Sequence, residues 1–328
     1  MIERDTLKKI RNKNISDVLQ VLRCNGACTL SEMTDEVDGG LTTVKKCVAQ
    51  AIDYGMVVEG NIAESTGGRK ARQFLINKDY QYYFIAVVDN NNLIIKVYDF
   101  AISCVEDYQK SFNLDSFFSV LCKEIEKQAK KYTIGTIGIS IPCVVKNGIV
   151  LDWYYNPGMI GFDIKSSLEE KYKVNVVVQN DMKLTALGVS NRDELNSSNI
   201  ITMQFGHNGV GMAGVVNGHL IEGKNGFSGE VGYISDITKS IMSISYPAKL
   251  VRNAIVFLNP ETIVFYYSNR QNNFERIFDN AVKGLPKYAI PKYVIRNNYI
   301  DDIILGLAYL FNKNGFYKKA EDAEDEQG

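Results

Sequence analysis

Three short strings in this chain hold residue types that could bind or transform a small polar molecule. The first is Gln179-Asn180-Asp181, where an apolar run gives way to a helical pattern. Ligand sites in α/β folds gather at the carboxyl ends of strands. An Asp placed there can cap the helix, worth about 1 kcal/mol, or act as a general base or hydrogen-bond acceptor toward a hydroxyl. The second string is Gly206-His207-Asn208-Gly209-Val210-Gly211. Its backbone N–H groups could cradle a phosphate, although tight hairpin packing explains the same glycines. The third runs from Gly226 to Tyr233 and brackets Glu230 with glycines, which lets a carboxylate come close to a small polar ligand.

These strings need a scaffold, and hydrophobic periodicity outlines one. Apolar runs at 83–88 and 93–98 flank Asp89-Asn90-Asn91-Asn92 and predict a hairpin. Residues 114–132 predict an amphipathic helix through Phe117, Phe118, Leu121 and Ile125. Residues 136–141 predict a buried strand stopped by Pro142, and Asn147-Gly148 marks a turn. Helices are expected at 164–172 and 181–189, and strands at 174–178 and 200–205. A last apolar helix is expected at about 301–311, before an acidic stretch, 321–326, that reads as disordered solvating charge. Strands alternating with helices predict an α/β sheet domain. No repeat occurs at solenoid periods.

Ahead of that domain the pattern is different. Residues 5–24 predict a helix through Leu7, Ile10, Ile15, Val18, Leu19 and Leu22, stopped by Asn25-Gly26. A short helix follows, with Ser31 as its expected cap. After Gly39-Gly40, residues 42–54 predict a third helix with Val44, Val48, Ala51 and Ile52 on its inner face. Residues 56–58 and 73–76 are β-like runs around a polar, glycine-containing loop. Helix, helix, tight turn, helix and two-stranded wing is the order of a winged helix-turn-helix, whose second motif helix enters the major groove. Thr42, Thr43, Lys45 and Lys46 would then face bases or phosphates. At the wing tip, Gly67, Gly68, Arg69 and Lys70 combine flexible backbone with cations that neutralise phosphates. The same outline serves protein–protein modules. Residues 1–79 carry twelve Lys/Arg and eleven Asp/Glu, so local clusters rather than net charge must do the phosphate work.

Bulk composition excludes several classes. The 328 residues are 45% hydrophobic and 23% charged, ordinary globular values, and the formal net charge is -1. No large field draws the whole chain to nucleic acid or membrane. No apolar run is long enough to span a bilayer, and the charged first residues are expected to be no secretory signal. The six cysteines form no Cys-x-x-Cys pair and there are two histidines, so free thiols in a reducing cytosol are expected and no metal site. The expected location is cytoplasmic.

Taken in order, the motifs resemble the repressor/open-reading-frame/kinase (ROK) family, and within it the sugar-responsive repressors with an N-terminal winged helix. The resemblance runs through Arg11 and Asn14, Thr42-Thr43-Val44, GGRK at 67–70, GISIP at 138–142, and Asn156 with Gly161-Phe162. It continues through Asn180-Asp181, GVG at 209–211, NGHL at 217–220, GEVGY at 229–233, and residues 258–264. Order and spacing carry the likeness, not any one string. It implies an α/β chain: residues 1–79 as the winged helix-turn-helix, then an actin-like (ribonuclease H-like), two-lobed sugar-kinase-type domain with a shortened second lobe. The lobes would be 80–198 and 199–300, with a helix at about 301–316 packing back on the first and 318–328 an acidic disordered tail. By resemblance, Asn156, Asn180, Asp181 and Glu230 would bind a sugar, and Asp181 is the position of the kinases' general base.

Several departures from the family pattern bear on catalysis. Its first phosphate loop, of Asp-x-Gly-Gly-Thr type, is Asp89-Asn90-Asn91-Asn92 here. The His after its sugar-binding Glu is replaced at Gly232-Tyr233. Its zinc cysteines are absent, since none follows Cys143. The chain passes from Tyr233 to Asn259 in few residues, and the Gly-Gly after the last core strand reads Tyr266-Tyr267. Phosphoryl transfer depends on positioning and electrostatics, so loss of the cradle removes the rate. The expectation is therefore a homodimeric DNA-binding repressor of carbohydrate genes. It would bind a double-stranded operator and a sugar or sugar-phosphate effector, with no cofactor, no metal and no kinase activity. The alternatives are an active ATP-dependent sugar kinase and a regulator that answers to a protein partner.

Overall fold

The structure, a computed structural model, describes residues 2–62, 71–192, 194, 195, 197–206, 209–234, 245–267 and 273–325, with side chains described from residue 13 to residue 312. The first unit consists of α1 (Ile2–Asn25), β1 (Cys28–Thr29), α2 (Leu30–Glu36), α3 (Leu41–Asp53), β2 (Val57–Ile62) and β3 (Arg72–Ile76). Its three strands pair antiparallel in the order β1-β3-β2. Val18, Leu19, Leu22, Met33, Val44 and Ala51 are wholly or almost wholly buried where the three helices meet. Each such large side chain contributes roughly 1.5–3 kcal/mol by leaving water. The cap of α2 is Thr29, not Ser31. Thr29 and Glu32 form a reciprocal capping box, with the Thr29 N–H donating to the Glu32 carboxylate at 2.7 Å.

The second unit holds β4 (Tyr82–Asp89), β5 (Asn92–Tyr98), β6 (Cys104–Ser111), α4 (Phe117–Ala129), β7 (Ile134–Ile141), β8 (Val144–Lys146), β9 (Ile149–Asp152), α5 (Ile164–Tyr172), β10 (Asn175–Asn180) and α6 (Asp181–Ser190). Its sheet order is β10-β7-β4-β5-β6, and β8 and β9 form a separate hairpin turned by Asn147-Gly148. The third unit holds β11 (Ile200–Gly206), β12 (Gly209–Val216), β13 (His219–Leu220), α7 (Ser245–Leu258), β14 (Thr262–Tyr267), α8 (Phe274–Val282) and β15 (Lys292–Arg296), with sheet order β13-β12-β11-β14-β15. Both five-stranded sheets follow one rule: a hairpin-linked antiparallel trio extended on one side by two parallel strands. The repeat is thus one of topology, which a search for sequence periodicity does not reveal.

The last helix, α9 (Tyr299–Asp325), crosses α6 at very short range. A Cβ at Gly188 would run into the Asp302 carbonyl, and one at Gly306 into the Leu184 carbonyl. Glycine is required at both positions because the obstacle is backbone. Farther along, Leu307 and Phe311 lie against Gly138 of β7, so this helix packs back on the first lobe. The backbone of residues 318–325 continues the helix where a disordered tail was expected. Strands β6 and β15 and helices α7 and α8 add to the elements anticipated from sequence.

Candidate functional site

Two surfaces hold the residues singled out by sequence. On the first unit, Val44, Cys47, Val48 and Ala51 anchor α3, which leaves Thr42, Lys45 and Lys46 exposed and Thr43 half-buried. The polar face of α3 is therefore largely exposed. The wing strands carry an exposed Arg72–Glu59 ion pair. Gly67, Gly68, Arg69 and Lys70 lie outside the described residues.

The second surface is the cleft between the lobes. Asn180 ends β10 and caps α6: its Oδ1 accepts from the Lys183 N–H at 3.1 Å, while its Nδ2 donates to the Cys143 carbonyl at 3.1 Å. Both ends of this amide are thus engaged within the protein. Asn156 is buried beside a 3₁₀ turn, with its Nδ2 donating to the Leu114 carbonyl at 2.9 Å. Asp181 follows Asn180 as the first residue of α6 and accepts from the Met182 N–H at 2.8 Å. Burial pushes its carboxyl up to about 7; Glu230 and Asp89 push the same way, against that hydrogen bond. Glu230 is raised as well, first by burial and then by Asp152, with Lys183 opposing. The cleft therefore brings Asp181 and Glu230 together with Asp89, which sequence reasoning had assigned only to a loop. At neutral pH Asp181 is poised to accept from, or donate to, a hydroxyl.

Residues that sequence reasoning missed join the two lobes across this cleft. Lys146 on β8 pairs with Glu222 at 2.6 Å, and Gln179 donates to the same carboxylate at 2.9 Å. Burial alone would raise Glu222, but those two bonds hold it below the usual carboxylate range. Lys183 is fully buried and its ammonium donates to the Gly226 carbonyl. Burial lowers its pKa, opposed by Glu230 and Glu222. Gly226 has φ +70°, and a Cβ there would lie 2.6 Å from the Val145 carbonyl, so the loop passes too close for any side chain. The one sequence signal for Lys183 was a lysine within the otherwise apolar pattern of α6.

The segments that the resemblance linked to nucleotide binding are closely packed in this chain. The β4–β5 hairpin closes in two residues, with Asp89 opposite Asn92 and Asn90 at φ 53°. Met182 packs on Gly211, where a Cβ would lie 2.7 Å from its Cγ. Gly206 pairs with Gly209, while His207 and Asn208 lie outside the described residues. Tyr299 hydrogen-bonds Asp89, and burial together with Asp89 and Asp181 raises its pKa. Tyr266 is buried, and its hydroxyl donates to Asp302 at 2.7 Å. Asp302 is in turn held by Arg192 at 2.5 Å and Arg296 at 3.2 Å. Among the described residues there is no cluster of three or more His, Cys, Asp or Glu able to hold a metal, and no helix long and apolar enough to cross a membrane.

The model of the ROK family matches residues 113–241. This segment is similar to the ROK family over those residues. The xylose repressor of Bacillus subtilis (strain 168) is 24% identical over 241 residues, covering 70% of this chain and 61% of the repressor. The chain thus spans about six-tenths of the length of the curated relatives it matches first. A crystal structure of a ROK family transcriptional regulator, a homolog of the E. coli MLC protein, superposes with a TM-score of 0.70 at 18% identity, covering 94% of this chain and 97% of that one. The ROK hexokinase of Thermus thermophilus gives 0.55 at 14% identity, covering 71% of this chain and all of its own. The fold is therefore the α/β, actin-like ROK fold, and the match to the regulator extends over residues that the kinase leaves unmatched.

Proposed function

We propose that this ROK protein is a homodimeric transcriptional repressor of carbohydrate genes in the cytoplasm, with a sugar-sensing cleft that no longer transfers phosphate. What supports the reading is the exposed polar face of α3 together with a tight β4–β5 turn of two asparagines where the family pattern has a glycine-containing phosphate loop. A phosphate cradle needs backbone N–H groups that a ligand can approach. A two-residue Asn90-Asn91 turn offers little room for that. Thr42, Thr43, Lys45 and Lys46, with Gly67, Gly68, Arg69 and Lys70 at the wing, would bind the operator. Asn156, Asp181 and Glu230 would meet sugar hydroxyls, and Asn180 would hold the end of α6 in place. The similar xylose repressors support a pentose or related sugar as the effector.

The test is a mobility-shift titration of the chain on its own upstream DNA, with and without sugar. A specific shift relieved by sugar is expected; no specific shift at any moderate salt would refute the reading. One observation favours the kinase alternative: a carboxyl near 7 at Asp181 suits a general base. A coupled assay over a hexose and pentose panel decides it, because turnover abolished by Asp181→Asn would make the chain an enzyme.

A further inference from the structure

The rim of the cleft is aromatic, and nothing in the fold requires those rings to be exposed. Just past Asp152, Trp153 is buried and packs edge-on against Phe117 at 5.4 Å. The next two residues turn outward: Tyr154 is 86% exposed and Tyr155 43%. They stand edge to face at 5.1 Å and lead directly into buried Asn156. On the opposite lip, Phe227 and Tyr233 flank Glu230, are 47% and 66% exposed, and lie 5.0 Å apart. The Tyr233 hydroxyl donates to the Asp152 carboxylate, which joins the two lips. Two pairs of solvent-exposed rings therefore stand beside Asn156 and Glu230, two of the candidate sugar-binding residues.

Clustered exposed apolar surface marks a binding groove more often than a monomer's ordinary surface. The chemistry here narrows the ligand. A pyranose ring has an apolar face of C–H bonds and a rim of hydroxyls. An aromatic ring matches the face, and a tyrosine hydroxyl or neighbouring carboxylate matches the rim. A nucleotide or sugar phosphate would bring negative charge against Asp152, Glu230 and Asp181, where Glu230 already raises the Asp181 carboxyl and Asp152 raises that of Glu230. A single sugar held by Asn156 and Glu230 would leave the outer rings unused. We propose that the effector is a neutral oligosaccharide, with one unit inside the cleft and at least one more stacked on Tyr154 and Phe227 at the rim. This rests on the sugar-sensor reading.

Calorimetric titration of the full chain tests it, with xylose and glucose against the xylo-, cello- and malto-oligosaccharides of two and three units. At least one oligosaccharide is expected to bind about tenfold or more tightly than its own monosaccharide. Tyr154→Ala and Phe227→Ala should each remove most of that advantage while leaving monosaccharide affinity unchanged. Both side chains are solvent-exposed, so the variants should fold, which a thermal melt verifies. If monosaccharides bind and no oligosaccharide binds better, the proposal is overturned while the sensor reading stands. Rim variants that weaken monosaccharide and oligosaccharide equally would overturn it too. If no sugar binds the folded chain, the sensor reading itself fails and the proposal goes with it.

Discussion

The joint between the first unit and the first lobe is built on the opposite principle to the cleft. At the joint, Arg23 near the end of α1 donates to the Phe100 carbonyl at 3.2 Å, to Asn312 on α9 at 3.3 Å and to the Tyr83 hydroxyl at 3.4 Å. Its guanidinium lies 5.0 Å from the centre of the Phe100 ring. Tyr83 stacks on Phe311 at 5.4 Å, and one apolar cluster runs without a break from the helices of the first unit to α9. In the cleft, by contrast, Glu230 and Asp89 raise the Asp181 carboxyl, while Lys183 opposes the rise at Glu230. The joint is tied by the chain's own polar groups; the cleft concentrates carboxylates. The two are mechanically continuous. Helix α6 starts at Asp181, crosses α9 at Gly188 and Gly306, and α9 reaches the joint at Phe311 and Asn312. Allostery needs such a connected element with two arrangements to choose between.

That contrast yields predictions of opposite sign. The largest effect belongs to the helix crossing. Gly188→Val would press a branched side chain into the Asp302 backbone, which cannot yield as a flexible side chain would. A loss of about 3 kcal/mol or more in urea unfolding is expected, at the upper end for overpacked sites. A loss below about 1 kcal/mol would show that α6 and α9 slide freely, and the coupling route would be gone.

Arg23→Met comes next. It keeps much of the volume but leaves the Phe100 carbonyl and Tyr83 hydroxyl without this donor in a packed setting. Orphaned polar groups cost about 1–3 kcal/mol, and a loss in that range is expected. Operator binding and sugar binding should each survive, while sugar no longer weakens operator binding. A variant that keeps full sugar response would break the comparison, because the joint would then not carry the signal.

The comparison also bears on what the sequence made legible. The joint's elements were readable, since α1 and the apolar part of α9 show regular periodicity. Their meeting was not, because Arg23 and Asn312 are far apart in the chain. Strand β6 escaped notice because its exposed residues, among them Asp107, Gln109 and Lys110, make it a polar edge strand, the type that guards a sheet against edge pairing. The cap at Thr29 was readable as Thr-x-x-Glu, a pattern that Ser31 obscured. In the cleft, the strings around Asp181 and Glu230 were visible locally. The Lys146–Glu222 and Lys183–Gly226 ties were not, since each joins residues from different lobes.

On the cleft side, a substitution should stabilise. Burial raises the Asp181 carboxyl in the folded chain to about 7 from its ordinary value of 3.8. A carboxyl raised on folding destabilises the fold wherever it must ionise. That penalty is absent below about pH 4, grows through the window up to about pH 7, and is fully present above it. Asp181→Asn removes the charge and keeps an acceptor for the Met182 N–H. A gain on the order of 1 kcal/mol at pH 8 is expected, after discounting for partial solvent access. No gain is expected at pH 4. A variant less stable than the parent at pH 8 would mean that the carboxylate is already compensated, and the contrast with the joint would weaken.

The smallest effect on stability tests the far end of the route. Lys46 is exposed on α3, so Lys46→Ala should change unfolding free energy by less than about 0.5 kcal/mol. Its effect should fall on DNA alone. If Lys46 contacts a phosphate, operator affinity drops for all sequences alike and the slope of log affinity against log salt falls by about one. If it reads a base edge, preference at one operator position relaxes, with about 1–3 kcal/mol of discrimination lost there. Either outcome keeps α3 in the groove while the joint stays intact. An unchanged affinity and an unchanged slope would move the DNA-contacting surface off this face of α3, whatever the cleft binds.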